Sequence, residues 1–367
     1  MKKIMSILLA AGLVLSLAAC GSGGASGEVS VTQGSSNAGS SAGQAAAGDS
    51  IRVCVIYSGS LGDKSYHDSC NMGAQRAAQD FGVNVKSLEG STAEEWEANL
   101  VAACEDDYDL IIGATSNIAD YIKKHAPNYP DVKFAVIDTV VDLPNVESIT
   151  FAQNQGSFLA GAAAAMFTEK NGIEGVNEEA VIGWVGGMDI PVLHDFYTGY
   201  EQGAKYINPD IRIFQAFSGS WNDPLKGKEL TLAQYEQGAD IVMAVASATG
   251  NGVLEAAREA NKYAIGVDLN QDAEQPGHVL TSMLKRVDNA CYLVIESVAN
   301  DEFKGGTTKY LSLAEGGVSL TDFTVIREAL GDHFPEDIVE ECDKIAQKIQ
   351  SGEIVVDNYE GFGPQAE

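Results

Sequence analysis

The stretch Ile51-Arg52-Val53-Cys54-Val55-Ile56-Tyr57-Ser58-Gly59-Ser60-Leu61-Gly62-Asp63-Lys64-Ser65-Tyr66-His67-Asp68 decides the fold. Val53–Tyr57 is an unbroken apolar run, where a strand with one wet face would alternate with polar residues. A glycine-rich loop, Gly59–Asp63, leads into helical spacing over Ser65–Phe81. Ser65 suits an N-cap, and Asp68 three residues on is close to a capping box. A buried strand feeding a helix begins a βαβ unit, in which a parallel sheet is covered on both faces.

The same alternation runs outward from this stretch. Asn84–Leu88, Leu110–Ile112 and Lys133–Ile137 are predicted as further buried strands, with helices at Ala93–Asp106 and Asn117–His125. The pattern then restarts with an Ala-rich helix, Gln155–Thr168. Strands follow at Val181–Val185, Ile211–Phe217, Ile241–Ala246 and Ala264–Val267, separated by helices Pro191–Tyr206, Asp223–Gln237 and Gly250–Glu259. Pro224 behind the carboxylate of Asp223 fits a first helical turn. Two successive sets predict an α/β chain of two doubly wound parallel-sheet lobes. Val287–Asn300 is one more amphipathic helix, expected to return to the first lobe.

Upstream, Lys2 and Lys3, the apolar run Ile4–Ala19 and the sequence Leu17-Ala18-Ala19-Cys20-Gly21 have the basic-apolar-small order of a secretory signal. The run is short for a membrane span, which needs about 20 residues. A cysteine directly after small residues resembles the bacterial lipobox, which implies cleavage before Cys20 and a lipid on its thiol. Residues 21–49 hold no aromatic residue, and Glu28 and Asp49 are their charges. Such a segment buries too little apolar surface to offset its ordering entropy, so a flexible tether is expected. Over the whole chain 52 Asp plus Glu oppose 23 Lys plus Arg, a net charge of −29. That argues against nucleic acid and anionic lipid as partners, since both need a basic face. Five cysteines remain: Cys54, Cys70, Cys104, Cys291 and Cys342. They form no Cys-x-x-Cys and meet no His spacing for zinc, and their odd number argues against a disulfide framework.

In open parallel sheets, ligands bind beyond the carboxyl ends of the strands. The residues there are Gly59–Asp63, Asp138, Gly186–Asp189, Ser218–Trp221, Ser247–Gly250 and Asp268. Glycines let backbone approach a ligand, carboxylates accept hydroxyl hydrogens, and aromatic rings offer flat apolar faces. Asp268 ends a buried strand, where a lone carboxylate is costly, and vicinal hydroxyls of a ligand would satisfy it. Asp138 suits a similar role, and either could instead cap the next helix. Asp63, Asp189 and the Thr249-Gly250 turn are further candidates.

At these residues the chain resembles the basic-membrane-protein family of ABC-transporter substrate-binding lipoproteins, typified by purine nucleoside receptors. The matching stretches are Gly62–Tyr66, Phe151–Gly161, Gly183–Pro191, Gly219–Lys228, Thr249–Gly252, Gly266–Asp268 and Met283–Asp288, in that order. The resemblance implies a type I periplasmic-binding-protein fold whose chain crosses three times between lobes that close over a ligand. Residues 50–150 with about 283–310 would form the N-terminal lobe, and 151–282 with about 311–367 the C-terminal one. It implies a nucleoside, purine favoured, held between Tyr66 and Trp221, one ring per lobe, with Lys285 reaching the sugar or base. Tyr57 and His67 stand where the family has an Asp and an Asn that read base edges. The implied partners are a membrane ABC permease and the cell membrane through a lipid at Cys20, on its extracytoplasmic face, with the protein a monomer. No cofactor and no metal are expected. Another ringed polar solute, such as a sugar or riboflavin, and a sensor role remain as alternatives. An enzyme is disfavoured: the carboxylates are scattered one per loop, with neither Gly-x-Ser-x-Gly nor His-Glu-x-x-His.

Overall fold

A computed structural model describes residues 50–360, apart from Asn171, together with residue 362. The signal, Cys20 and the tether lie outside the described residues. Central strands that are apolar at every position need cover on both faces, and the chain supplies it twice. The first sheet holds β1 (Arg52–Tyr57), β2 (Asn84–Glu89), β3 (Leu110–Gly113), β4 (Lys133–Ile137), β5 (Val146–Phe151) and β11 (Thr307–Leu311). The second holds β6 (Val181–Gly186), β7 (Arg212–Phe217), β8 (Ile241–Val245), β9 (Tyr263–Asp268), β10 (Val279–Lys285) and β12 (Val318–Leu320). Their strand orders, β11-β5-β4-β3-β1-β2 and β12-β10-β9-β8-β6-β7, are the same arrangement repeated. Every described ladder is parallel except that of β10 with β12.

Helices α1 (Tyr66–Phe81), α2 (Ala93–Glu105), α3 (Ala119–His125) and α8 (Val287–Ala299) accompany the first sheet. The second has α4 (Gln153–Thr168), α5 (Pro191–Ile207), α6 (Pro224–Glu236), α7 (Ala248–Glu259), α9 (Thr324–Leu330) and α10 (Asp337–Gln350). Among the described residues no helix is long and apolar enough to cross a membrane.

Two expectations change. Residues 84–88 are not a buried strand: β2 is the edge of its sheet, and Asn84, Lys86 and Glu89 are exposed. Ser65 occupies the N-cap of α1, but its side chain makes no cap bond and the capping box does not form. The carboxylate of Asp63 takes the N–H groups of Ser65, His67 and Asp68 instead. Asp223 does cap α6, accepting from the Lys226 N–H.

The chain passes between the sheets after β5, after β10 and after β11. The middle passage falls at Arg286, because β10 lies wholly in the second sheet; α8 beyond it packs on α1. The three passages bond to one another. Ala152 N–H donates to the Leu311 carbonyl at 3.0 Å, Arg286 N–H to Gly317 at 2.9 Å, and Leu313 N–H to Gln155 Oε1 at 3.0 Å. β5 also buries Glu147, paired at 2.7 Å with Lys309 of β11.

In the second lobe α4 and α5 approach at backbone distance. A Cβ on Gly203 would sit 1.9 Å from the Phe158 carbonyl oxygen, and one on Gly199 would sit 2.0 Å from that of Asn154. Backbone cannot yield as a flexible side chain does. Gly203→Ala is therefore expected to lose about 1–3 kcal/mol of stability, read as an earlier midpoint in denaturant unfolding.

Candidate functional site

The carboxyl ends of both sheets meet at a cavity that, with its open mouth included, encloses about 540 Å³. Tyr66, His67 and Asp138 reach it from the first lobe; Trp221, Asp268 and Lys285 reach it from the second. Asp138 directly follows β4 and Asp268 ends β9, the corresponding strands of the two sheets. Both have left-handed backbone, φ 69° and 67°. Aspartate is among the few residues that accept this conformation readily.

Asp138 is already engaged on both oxygens. Lys285 Nζ lies 2.6 Å from Oδ1, and the Tyr66 hydroxyl donates to Oδ2 at 2.9 Å. Lys285 is only 1% exposed, and its ammonium sits 5.1, 5.2 and 5.6 Å from the ring centres of Phe196, Phe151 and Tyr66. An ammonium taken from water needs such company, a carboxylate first and ring faces second. Burial, together with the neighbouring Asp138 charge, holds the Tyr66 phenol well above its usual range. That phenol therefore stays protonated and keeps donating.

Asp268 is less satisfied. Ser65 Oγ donates to its Oδ2 at 2.5 Å, while among the described residues its Oδ1 has no protein hydrogen bond. Burial pushes this carboxyl up to about 6, with the Asp63 and Asp138 charges adding to the rise and Ser65 and Lys285 opposing it. Asp63 goes the other way. Burial alone would raise it, but its bonds to His67 and the His67 charge, followed by the hydroxyl of Ser247, bring it down to about 2.

The indole of Trp221 rests against Gly187, where a Cβ would stand 2.3 Å from its Cε3. Asp63 and His67 also bound a neighbouring space of about 320 Å³ beyond Trp221. Four expected residues, Asp63 among them, do not line the main cavity. Tyr57 is fully buried, its hydroxyl without a hydrogen bond and its ring edge-on to His67 at 5.8 Å. Asp189 is exposed and bonds His194 Nε2 at 2.6 Å. Gly250 is held within the first turn of α7, its N–H on the Ser247 carbonyl. Sequence reasoning missed the apolar wall formed by Ile190, Val192, Leu193 and Phe196, and the hydroxyls of Ser58 and Thr115. The signal was present: an apolar first turn placed straight after a Gly-Gly loop at a strand end. Among the described residues no cluster of His, Cys, Asp and Glu could hold a metal.

The site can thus offer flat ring faces, a carboxylate oxygen for hydroxyl donors and an apolar wall. The raised value of Asp268 has a stability consequence. The folded state holds that proton more tightly than the unfolded chain, so this contribution to stability is fully present below the usual aspartate value of about 3.9 and is lost as pH rises through about 6. Asp268→Asn is expected to stabilise the unliganded protein at pH 7.5, by about 1–3 kcal/mol, with the gain shrinking toward pH 4.5 in denaturant titrations.

Comparison with known proteins agrees with this architecture. Residues 50–360 match the family model described as ABC transporter substrate-binding protein PnrA-like. Basic membrane protein D of Borreliella burgdorferi is 31% identical over 326 residues, covering 86% of this chain and 91% of that protein. The ABC transporter nucleoside-binding protein BmpA of Lactococcus lactis is 31% identical over 288 residues, 72% of this chain and 80% of its own length. Among solved structures, an ABC transporter solute-binding protein of Aeropyrum pernix superposes with a TM-score of 0.77 at 30% identity, over 84% of this chain and 94% of that one. With two parallel-dominated sheets facing one cavity and a family match over nearly all the described residues, the chain belongs to the PnrA-like (Bmp) family of ABC transporter substrate-binding proteins.

Proposed function

We propose that the protein captures a nucleoside, with purine nucleosides favoured, between its two lobes and presents it to an ABC permease. It does so at the extracytoplasmic face of the membrane, as a monomer held there by a lipid on Cys20. The observation that carries the reading is that Tyr66 and Trp221, from different lobes, share one cavity with Asp268, a carboxylate with one oxygen that has no protein hydrogen bond among the described residues. A heterocyclic base suits the two rings, and vicinal ribose hydroxyls suit a buried carboxylate short of donors. The name of the Lactococcus relative, a nucleoside-binding protein, supports the same ligand class. Import is favoured over sensing by the family's transporter association.

A thermal-shift screen with nucleosides, free bases, sugars and riboflavin tests the reading. A ligand at 100 times its dissociation constant adds about 2.7 kcal/mol of stability, which is readily seen. Stabilisation by a sugar or by riboflavin, with none from any nucleoside, would show the ligand class to be wrong. Trp221→Ala is expected to weaken nucleoside binding by about 1–3 kcal/mol while the variant remains folded. Titration calorimetry on that variant checks it, and unchanged affinity would remove the indole from the site.

A further inference from the structure

The loop Gly62–Ser65 turns N–H groups toward its own lobe and carbonyls toward the other. Asp68 accepts the N–H groups of Gly62 and Lys64 at 2.7 and 2.8 Å, and Asp63 accepts that of Ser65 at 3.0 Å. Lys64, in the middle of this turn, has left-handed backbone, φ 56°. Two consecutive carbonyls meet the second lobe. The Asn251 amide of α7 donates to the Asp63 carbonyl at 3.1 Å, and the Gln271 amide, beyond β9, donates to that of Lys64 at 2.9 Å.

Gln271 is held ready by its own lobe. It is 2% exposed, its Oε1 accepts the Val267 N–H at 2.9 Å, and its own N–H donates to Ser282 Oγ at 2.9 Å. Gly266 leaves the room for it: a Cβ there would stand 2.8 Å from that Oε1. These partners all belong to the second lobe, so Nε2 is aimed at Lys64 without help from a ligand. Lys64, Asn251 and Gln271 line neither space of the cleft.

We propose that Gly62–Ser65 is a latch that holds the lobes together independently of the ligand, with Asn251 and Gln271 as its positioning residues. A ligand leaves only when the lobes part, and parting breaks both amide bonds first. The latch therefore sets residence time by a factor common to every ligand. The inference rests on the reading above, in which a nucleoside is captured between the lobes. One such bond shifts an equilibrium about two- to tenfold, and two shift it about tenfold or more. The Lys64–Glu274 ion pair beside them is exposed and adds little.

The test is the rate at which preloaded radiolabelled adenosine or inosine leaves after dilution into excess unlabelled nucleoside. Wild type is compared with Asn251→Ala, Gln271→Met, the two combined, and Lys64→Ala. Asn251→Ala should release about two- to tenfold faster and the pair about tenfold or more, by the same factor for both nucleosides. Lys64→Ala, which keeps the carbonyl, should stay within about twofold of wild type. A merely structural role would lower the thermal midpoint and leave the release rate alone. Gln271→Met also takes the acceptor from the Val267 N–H; if it fails to fold, Asn251→Ala decides, since among the described residues the Asn251 side chain has no other protein hydrogen bond. An unchanged rate in Asn251→Ala and in the pair, or faster release of one nucleoside alone where both bind, overturns the latch and leaves the nucleoside reading standing. If no nucleoside binds wild type, that reading falls, and small-angle scattering without ligand decides the latch. A larger radius of gyration in the variants than in wild type retains it, and an equal one overturns it.

Discussion

Three carboxylates, Asp63, Asp138 and Asp268, are withdrawn from water in one cleft, and each takes a donor from the opposite sheet. Asp63 of the first lobe accepts the hydroxyl of Ser247 from the second. Asp138 of the first meets the ammonium of Lys285 from the second. Asp268 of the second accepts the hydroxyl of Ser65 from the first. A buried carboxylate without donors costs several kcal/mol, so each of these groups ties one sheet to the other. Around them the Asn251 amide reaches the Asp63 carbonyl, that of Gln271 reaches Lys64, and Lys64 pairs with Glu274. The last of these is exposed and adds little. Apposition of the lobes in this cleft is therefore a matter of satisfying charge more than of burying hydrocarbon.

The three groups are not equally content, and that inequality gives the cleft its chemistry. Asp138 is ion-paired with Lys285 on one oxygen and accepts the Tyr66 hydroxyl on the other, and Asp63 accepts from the first turn of α1 and from Ser247. Asp268 retains an oxygen without a protein partner and a carboxyl raised by burial. Instability concentrated on one group is a common mark of a site kept ready for a ligand.

Much of this was legible in the chain. Strands such as β1, β3 and β8 announce themselves because cover on both faces demands apolar residues at every position. The loops beyond them named Asp138, Trp221 and Asp268, the family resemblance added Tyr66, His67 and Lys285, and these six share the cavity. What failed depended on partners distant in sequence. Ser65 looked like a cap because Asp68 follows at the right spacing, yet its hydroxyl crosses 203 positions to Asp268. Tyr57 sits at a strand end next to the loop, but the pleat sends its ring into the core. The apolar start of α5 read as ordinary helix core, because periodicity cannot tell a face packed on a sheet from one left facing a cleft.

The five thiols have a use of their own. Cys54 in β1, Cys70 in α1, Cys104 in α2 and Cys291 in α8 are buried in the first lobe, while Cys342 in α10 is buried in the second. Burial pushes Cys54 and Cys342 up to about 12 and Cys104 to about 11, so little reactive thiolate exists while the chain is folded. Alkylation at each must wait for its surroundings to open. Followed residue by residue, its rate at Cys342 and at Cys54 would time the breathing of the two lobes separately, without any label being introduced.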